Sequence, residues 1–533
     1  MISKEAFLKL ITPTNWGFWV LIGLLMRVVQ VYLFQSTIPF EADLGYVYFS
    51  GDSWYYLELA RNFINEGEFF LFNKHIFVEP IRRIVESEAG SYLLEKNYCF
   101  RMPGYPMYLA LFMLLFGQTT GITIAVYVQV VIVVVALYLL ARLVQDLTES
   151  KWAFYLSFFL LMVSLFFGKW SFSVMSEPLA FSFLTISIYL LQINNLGRKQ
   201  RILALAGVCV TGAVFMRPFL LPILFLLTCL VFIRKFNVKS VLVFLIPFLL
   251  IEGAWITRNY IKTSNFILLE SSADFYQNTN PVYARWVKLA ELCGENKIFW
   301  SSLTMGGWIM PMDYLSSIRN GESTDEILPD YFTKDVYRLT MAHELRSKYH
   351  HIVNDTLDYQ FRLKMEKEGL VLIDSLRDDF LLSHSFVEIA VFRIRGLYRL
   401  IMSIPAELSY RGVFKYPFNV IVSAGFVILN TVVLFFGLVA SVLVLFGGVL
   451  MSKKRSYLVL SLIPLSVMFV YGIAFAIQET RALSIPFSFL LANSVIVFFD
   501  KNLMGTRNRR LLALLLIVSI AFGVYRLIQY IQW

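Results

Sequence analysis

The stretch WGFWVLIGLLMRVVQVYLF, Trp16 to Phe34, is long and apolar enough to cross a bilayer and carries a single charge, Arg27. It lacks a small-residue cleavage site, so it reads as a retained signal anchor. Ten further apolar runs follow, near 121–143, 152–169, 174–192, 200–216, 218–233, 239–257, 423–450, 456–476, 483–499 and 511–530. Backbone groups in lipid must be satisfied within each span, so the expected fold class is all-α: a polytopic membrane protein of about eleven transmembrane helices. The composition agrees, with 58% hydrophobic residues and 49 Phe in 533 residues and a mean hydropathy of +0.65. Arg27 sits deep in the first run, where a charge requires a partner or a water-filled cavity, and it reads as structural.

The net charge of +10 does not point to nucleic acid, because the basic residues fall in short clusters between apolar runs. Arg198, Lys199 and Arg201; Arg234, Lys235 and Lys239; Lys453, Lys454 and Arg455; and Lys501, Arg507, Arg509 and Arg510 all reach one side if the amino terminus is inside. That side is expected to be cytoplasmic. Pro103 to Phe116 must then not cross, and it reads as a juxtamembrane helix lying in the outer interface. The expected division is an amino-terminal membrane module, 1–257, with a first external loop at 36–120; an external helical region, 258–417; and carboxy-terminal membrane helices, 418–533. Within the external region, apolar and basic residues from Asp374 to Arg395 alternate in helix-like fashion, so the region reads as a small helical domain returning to the membrane surface. Cys99 and Cys293 lie outside, where a disulfide is possible, and the scattered Cys and His residues give no support for a structural zinc site.

The first external loop is the most informative. It reads Gly51-Asp52-Ser53-Trp54-Tyr55-Tyr56-Leu57-Glu58-Leu59-Ala60-Arg61-Asn62, then Arg101-Met102-Pro103-Gly104-Tyr105-Pro106. Tyr55, Leu59, Ala60 and Phe63 share one helical face, so Asp52 stands at the start of an amphipathic helix. Two readings of Asp52 are open: an N-cap, and a general base toward an acceptor hydroxyl at the water–lipid boundary. Tyr55 and Trp54 are candidates for stacking on a sugar or acceptor, and equally for interface anchoring. Glu177 stands near the outer end of its span, where it would either bridge an arginine or touch the sugar.

The pattern Asp-x-x-x-Tyr-x-x-Leu-Ala, then Arg-x-Pro-Gly-Tyr-Pro-x-x-Leu-Ala-Leu and Leu115-Phe116-Gly117, resembles the membrane glycosyltransferases of the GT-C superfamily. The similarity is to the branch with protein O-mannosyltransferases and the lipid A aminoarabinose transferase. Ser176-Glu177, Trp255-Ile256-Thr257-Arg258-Asn259-Tyr260, and Glu479-Thr480-Arg481-Ala482 with Pro486 extend it over roughly 15–265 and 475–500. The resemblance implies transfer of a sugar from a polyprenyl-phosphate donor to a lipid, glycan or protein acceptor, with membrane lipids around the site. It implies a bacterial plasma membrane location, an active site on the outer face and Asp52 as the base. A second acidic residue of the loop has no clear match among Glu79, Glu86 and Glu88, and Ala482 stands where an aromatic usually follows the late arginine.

A polyprenyl phosphate departs with negative charge, so such a site needs cations more than a general acid. Arg101, Arg217, Arg258 and Arg481 are the expected guanidinium groups, each of which could instead only hold a helix end, and Glu479 is a further substrate-binding candidate. No metal ligands are expected. A transporter or flippase of a lipid-linked glycan is the alternative, though no internal repeat or broken span points to it; a membrane scaffold with a decayed site is a third reading.

Overall fold

A computed structural model describes residues 12–34, 40–41, 47–48, 51–72, 96–164, 170–193, 199–235, 237–270, 359–392, 418–450, 456–469, 484–500 and 506–531, with single positions between 282 and 348 and at 394 and 503. The described residues are predominantly helical. In order come α1 (Trp16–Phe34), α2 (Gly51–Glu66), α3 (Gly104–Phe116), α4 (Gln118–Thr148), α5 (Lys151–Val163), α6 (Glu177–Ile193) and α7 (Gln200–Met216). They continue with α8 (Leu221–Lys235), α9 (Val238–Thr263), α10 (Tyr359–Ser383), α11 (Phe418–Leu450), α12 (Ser456–Phe469), α13 (Ser484–Phe499) and α14 (Thr506–Ile531). Among them α4 and α9 are the helices long and apolar enough by themselves to cross a membrane. The departure from an all-α reading is small: β1 (Phe40–Glu41) pairs with β2 (Val47–Tyr48), and β3 (Leu71–Phe72) with β4 (Lys96–Asn97), both antiparallel. These two-residue ladders satisfy backbone groups where the first loop runs extended beside α2.

One apolar core runs through the helices from both halves of the chain, from Ala125, Leu137 and Leu184 to Leu490, Ile496 and Leu512. Close backbone approach fixes its inner layer: a Cβ on Gly207 of α7 would lie 2.1 Å from the carbonyl oxygen of Phe244 in α9. Polar side chains bind the carboxy-terminal helices together, as Asn493 of α13 donates to Ser441 Oγ at 2.8 Å and to the Leu460 carbonyl at 3.0 Å. Tyr457 of α12 donates to the Leu147 carbonyl of α4 at 3.3 Å, joining helices 310 positions apart. Arg27 is 1% exposed and donates to Gln30, which donates to the Met162 carbonyl at 2.9 Å.

The segment read as a juxtamembrane helix is helical from Gly104 to Phe116 and packs against α4. After Gly117, at φ +82°, the chain reverses and α3 lies antiparallel against the first half of α4. Tyr108 donates to the Ala125 carbonyl at 2.5 Å, and a Cβ on Gly121 would meet the Phe112 carbonyl oxygen at 2.5 Å. Tyr105, Leu109, Ala110 and Met113 are buried by this hairpin, while Met107, Leu111, Leu114 and Leu115 stay exposed.

Between α9 and α11 a separate small core of Val282, Leu289, Met341, Met365, Ile373, Leu376 and Phe380 packs around α10. Within the run from Asp374 onward, α10 stops at Ser383, and Ser385 with Glu388 forms a capping box that starts the next helix. The reciprocal bonds are 2.7 Å from the Ser385 N–H to Glu388 and 3.3 Å from the Glu388 N–H to Ser385 Oγ.

Candidate functional site

Five chain segments meet where the first loop touches the helix ends: the start of α2, the 98–104 turn, the 170–177 segment entering α6, the end of α7, and α9 with the residues after it. The Pro-Gly-Tyr-Pro turn fits because Gly104 has no side chain; a Cβ there would stand 2.5 Å from the Phe215 carbonyl oxygen at the end of α7. That approach brings Arg101 and Arg217 to the same region. Met102 packs with Phe215 and Trp255 beneath it.

Asp52 lies in the first helical turn of α2, so it is inside the helix and not a residue preceding it. Arg101 Nη2 lies 3.5 Å from Asp52 Oδ1, and its other terminal nitrogen lies 3.4 Å from Glu270 Oε1. The side chains of Asp52, Arg101 and Glu270 are 13%, 18% and 22% exposed, so this cluster is recessed yet open to solvent. Glu270 also accepts the Met102 N–H at 3.3 Å. Its backbone is held by α9, where Trp255 donates to the Leu269 carbonyl at 2.9 Å and Asn259 to the Ile267 carbonyl at 3.2 Å.

Below Asp52, α2 is tied to the 170–177 segment. Ser53 donates to the Val174 carbonyl at 2.9 Å, and the Tyr56 hydroxyl shares a 3.0 Å hydrogen bond with Ser176. Tyr56 meets the Tyr105 ring edge-on at 5.1 Å, and Tyr105 donates to Gln129, which donates to the Ser171 and Ser173 carbonyls at 3.0 and 2.9 Å. Burial pushes the Tyr56 hydroxyl above its ordinary value of 10.0, against the opposing pull of Arg217; Asp52, Glu177 and Arg101 also act on it. Tyr56 is therefore protonated at neutral pH and lies within the field of four charged side chains. Glu177, at the first residue of α6, forms an ion pair with Arg217, with side-chain exposures of 2% and 10%.

Arg258 has a different placement. Its guanidinium donates to the carbonyls of Tyr98, at 2.6 Å, and Phe69, and lies over the Trp255 ring at 4.7 Å. One turn on, Lys262 pairs with Glu68, and Lys96 with Glu66 at 2.5 Å. The carboxy-terminal end of α9 thus clasps both edges of the first loop.

Tyr55 packs edge-on against Phe100 at 5.2 Å, within a small core with Leu59 and Leu71, whereas Trp54 is 55% exposed. Arg481 and Glu479 lie outside the described residues, as do Glu79, Glu86 and Glu88. The structure thus brings together Asp52, Arg101, Glu177 and Arg217, and sets Arg258 and Tyr55 at the rim. Glu270 is a carboxylate that sequence reasoning did not find, because no motif surrounds it. Glu252 of α9 was also missed: it is 3% exposed, and neither carboxylate oxygen meets a hydrogen-bond donor among the described residues. Among the described residues no group of three or more Asp, Glu, His or Cys is placed to hold a metal ion.

No protein-family model and no curated protein matches this chain. Among solved structures it is similar to ArnT from Cupriavidus metallidurans bound to undecaprenyl phosphate, at 11% identity and a TM-score of 0.31 over 90% of this chain and 77% of that one. A likeness of that size carries no inference about activity.

Proposed function

We propose that this chain is a bacterial plasma-membrane glycosyltransferase of GT-C type, which moves a sugar from a polyprenyl-phosphate donor to an acceptor hydroxyl at the outer face. The observation that carries this reading is the Asp52 carboxylate. It is recessed, partly open to solvent, and held from one side by Arg101 of the Arg-x-Pro-Gly-Tyr-Pro segment. A base for a hydroxyl at a lipid boundary needs that combination: a fixed carboxylate, a nearby cation to hold it ionised, and access from outside.

In this reading the acceptor oxygen attacks the anomeric carbon while its proton passes to Asp52. The bond from that carbon to the phosphate oxygen breaks, and polyprenyl phosphate leaves with the electron pair. Arg217, and Arg481 by its place in the motif order, meet the phosphate; Glu177 keeps Arg217 at its post and Glu479 lies beside Arg481 in sequence. Arg258 serves by closing the first loop over the site, and Trp54 offers an exposed ring to a sugar or acceptor. The external 258–417 region shapes acceptor choice.

Purified protein in lipid, given a radiolabelled polyprenyl-phosphate sugar and an acceptor extract, should release free polyprenyl phosphate in an Asp52-dependent way. Passage of intact donor across vesicle membranes without release would favour a flippase, and neither outcome would leave a scaffold.

A further inference from the structure

Glu270 belongs to no motif, yet it takes half of the arginine that holds Asp52. The two terminal nitrogens of Arg101 point to two different carboxylates at nearly equal range, 3.5 Å to Asp52 and 3.4 Å to Glu270. Both distances are long for a charge-assisted bond, which is usually about 2.7–2.9 Å. Glu270 is itself fixed, because it accepts the Met102 N–H at 3.3 Å and follows residues that α9 pins through Trp255 and Asn259. It therefore cannot drift away and leave Arg101 wholly to Asp52.

We propose that Glu270 is a positioning residue that divides the charge of Arg101, so that Asp52 is held in place without losing its strength as a base. This rests on Asp52 being the base. A guanidinium given entirely to one carboxylate would pull that carboxylate close and weaken its hold on a proton. With a second carboxylate on the other fork, the cluster of Asp52, Arg101 and Glu270 carries one net negative charge, which favours protonation of Asp52 during the reaction. Among the described residues, the other charged and titratable groups around Asp52 include Tyr56 from its own helix, and Glu177 from α6 and Arg217 from the end of α7, which share the field of Tyr56 with it.

The test is Glu270→Gln, which keeps an oxygen to accept the Met102 N–H and removes the charge. The acid limb of the kcat/KM profile against pH should move down by about half to one pH unit. The plateau rate should fall by roughly two- to fivefold, as expected for a weaker base, with donor KM unchanged within about twofold. Glu270→Asp, one methylene farther from Arg101, should move the limb in the same direction by less, and is read in place of Gln if that variant does not fold. A lower rate with the acid limb unmoved in the folded variant would overturn the proposal and leave Glu270 a loop-packing residue. Asp52→Asn, measured in parallel, separates the two ideas: full turnover in that variant would overturn the base and this role together, whereas its loss with an unmoved limb in Glu270→Gln would overturn this role alone.

Discussion

Two arginine–carboxylate sites lie around Tyr56, and they are built oppositely. Glu177 at the start of α6 and Arg217 just after the end of α7 form a closed pair, with side-chain exposures of 2% and 10%. Arg101 is shared at 3.4–3.5 Å between two carboxylates that remain 13% and 22% exposed. A sealed pair holds helices at a cost in desolvation that only good geometry offsets. A shared, open one keeps a carboxylate that can still trade a proton. In the proposed reading the first fixes the place of Arg217 and the second supplies the base.

The sharpest way to break this comparison is Asp52→Asn. Turnover should fall by roughly two to four orders of magnitude, with the unfolding midpoint in detergent almost unchanged, since Glu270 still holds Arg101. Retention of more than about a tenth of the wild-type rate, set against that expected contribution, would remove Asp52 as the base.

The sealed pair should answer in stability. Glu177→Leu or Arg217→Met alone strands a buried charge and should cost about 3–5 kcal/mol, while the two together should recover most of it. A double-mutant cycle by chemical denaturation reads the coupling, and additive single losses would mean that the two residues do not act as a pair.

Arg258→Ala tests whether the carboxy-terminal end of α9 clasps the loop. Loss of its charge-assisted bonds to the Phe69 and Tyr98 carbonyls should cost about 1.5–3 kcal/mol, and should speed proteolytic cutting of the first loop with helix content preserved. A drop in donor affinity with an unchanged cutting rate would return Arg258 to the carrier phosphate.

The smallest effect is expected at Glu68, an exposed partner of Lys262. The hydrogen bond from Lys262 holds this carboxylate below its ordinary value of 4.5. Its folded-state pKa is depressed, so its contribution is present above that ordinary value and is lost as pH falls through the lower folded one. Solvent screening keeps the contribution under about 1 kcal/mol. Glu68→Gln should therefore flatten unfolding midpoints measured across pH 3 to 6, an approximate window around the carboxylate range. Equal slopes in both proteins would make the pair energetically silent.

Much of the helix pattern was legible because apolar runs are a property of contiguous chain. The run expected at 200–216 is α7 with the same bounds, and Trp16 to Phe34 is α1 nearly to the residue. The end of α9 was not legible: hydropathy stops it near 257, but the helix continues to Thr263. Arg258 and Lys262 are accommodated there because Phe69, Tyr98 and Glu68 of the first loop receive them, a compensation that no local window contains. The break at Ser383–Ser385 had a local signal, the Ser-x-x-Glu box, which the alternating pattern from Asp374 masked.

The sequence alone determined the helical class, the basic clusters that order the apolar runs, and the candidacy of Asp52 and Arg101, since composition, period and motif order are all written along the chain. Only the tertiary structure decided the partners. Arg101 finds Asp52 across 49 positions and Glu270 across 169, and Arg217 finds Glu177 across 40. Coulombic pairing depends on distance through space between helix ends, and that distance is set by where Gly104 and Gly207 let backbones touch.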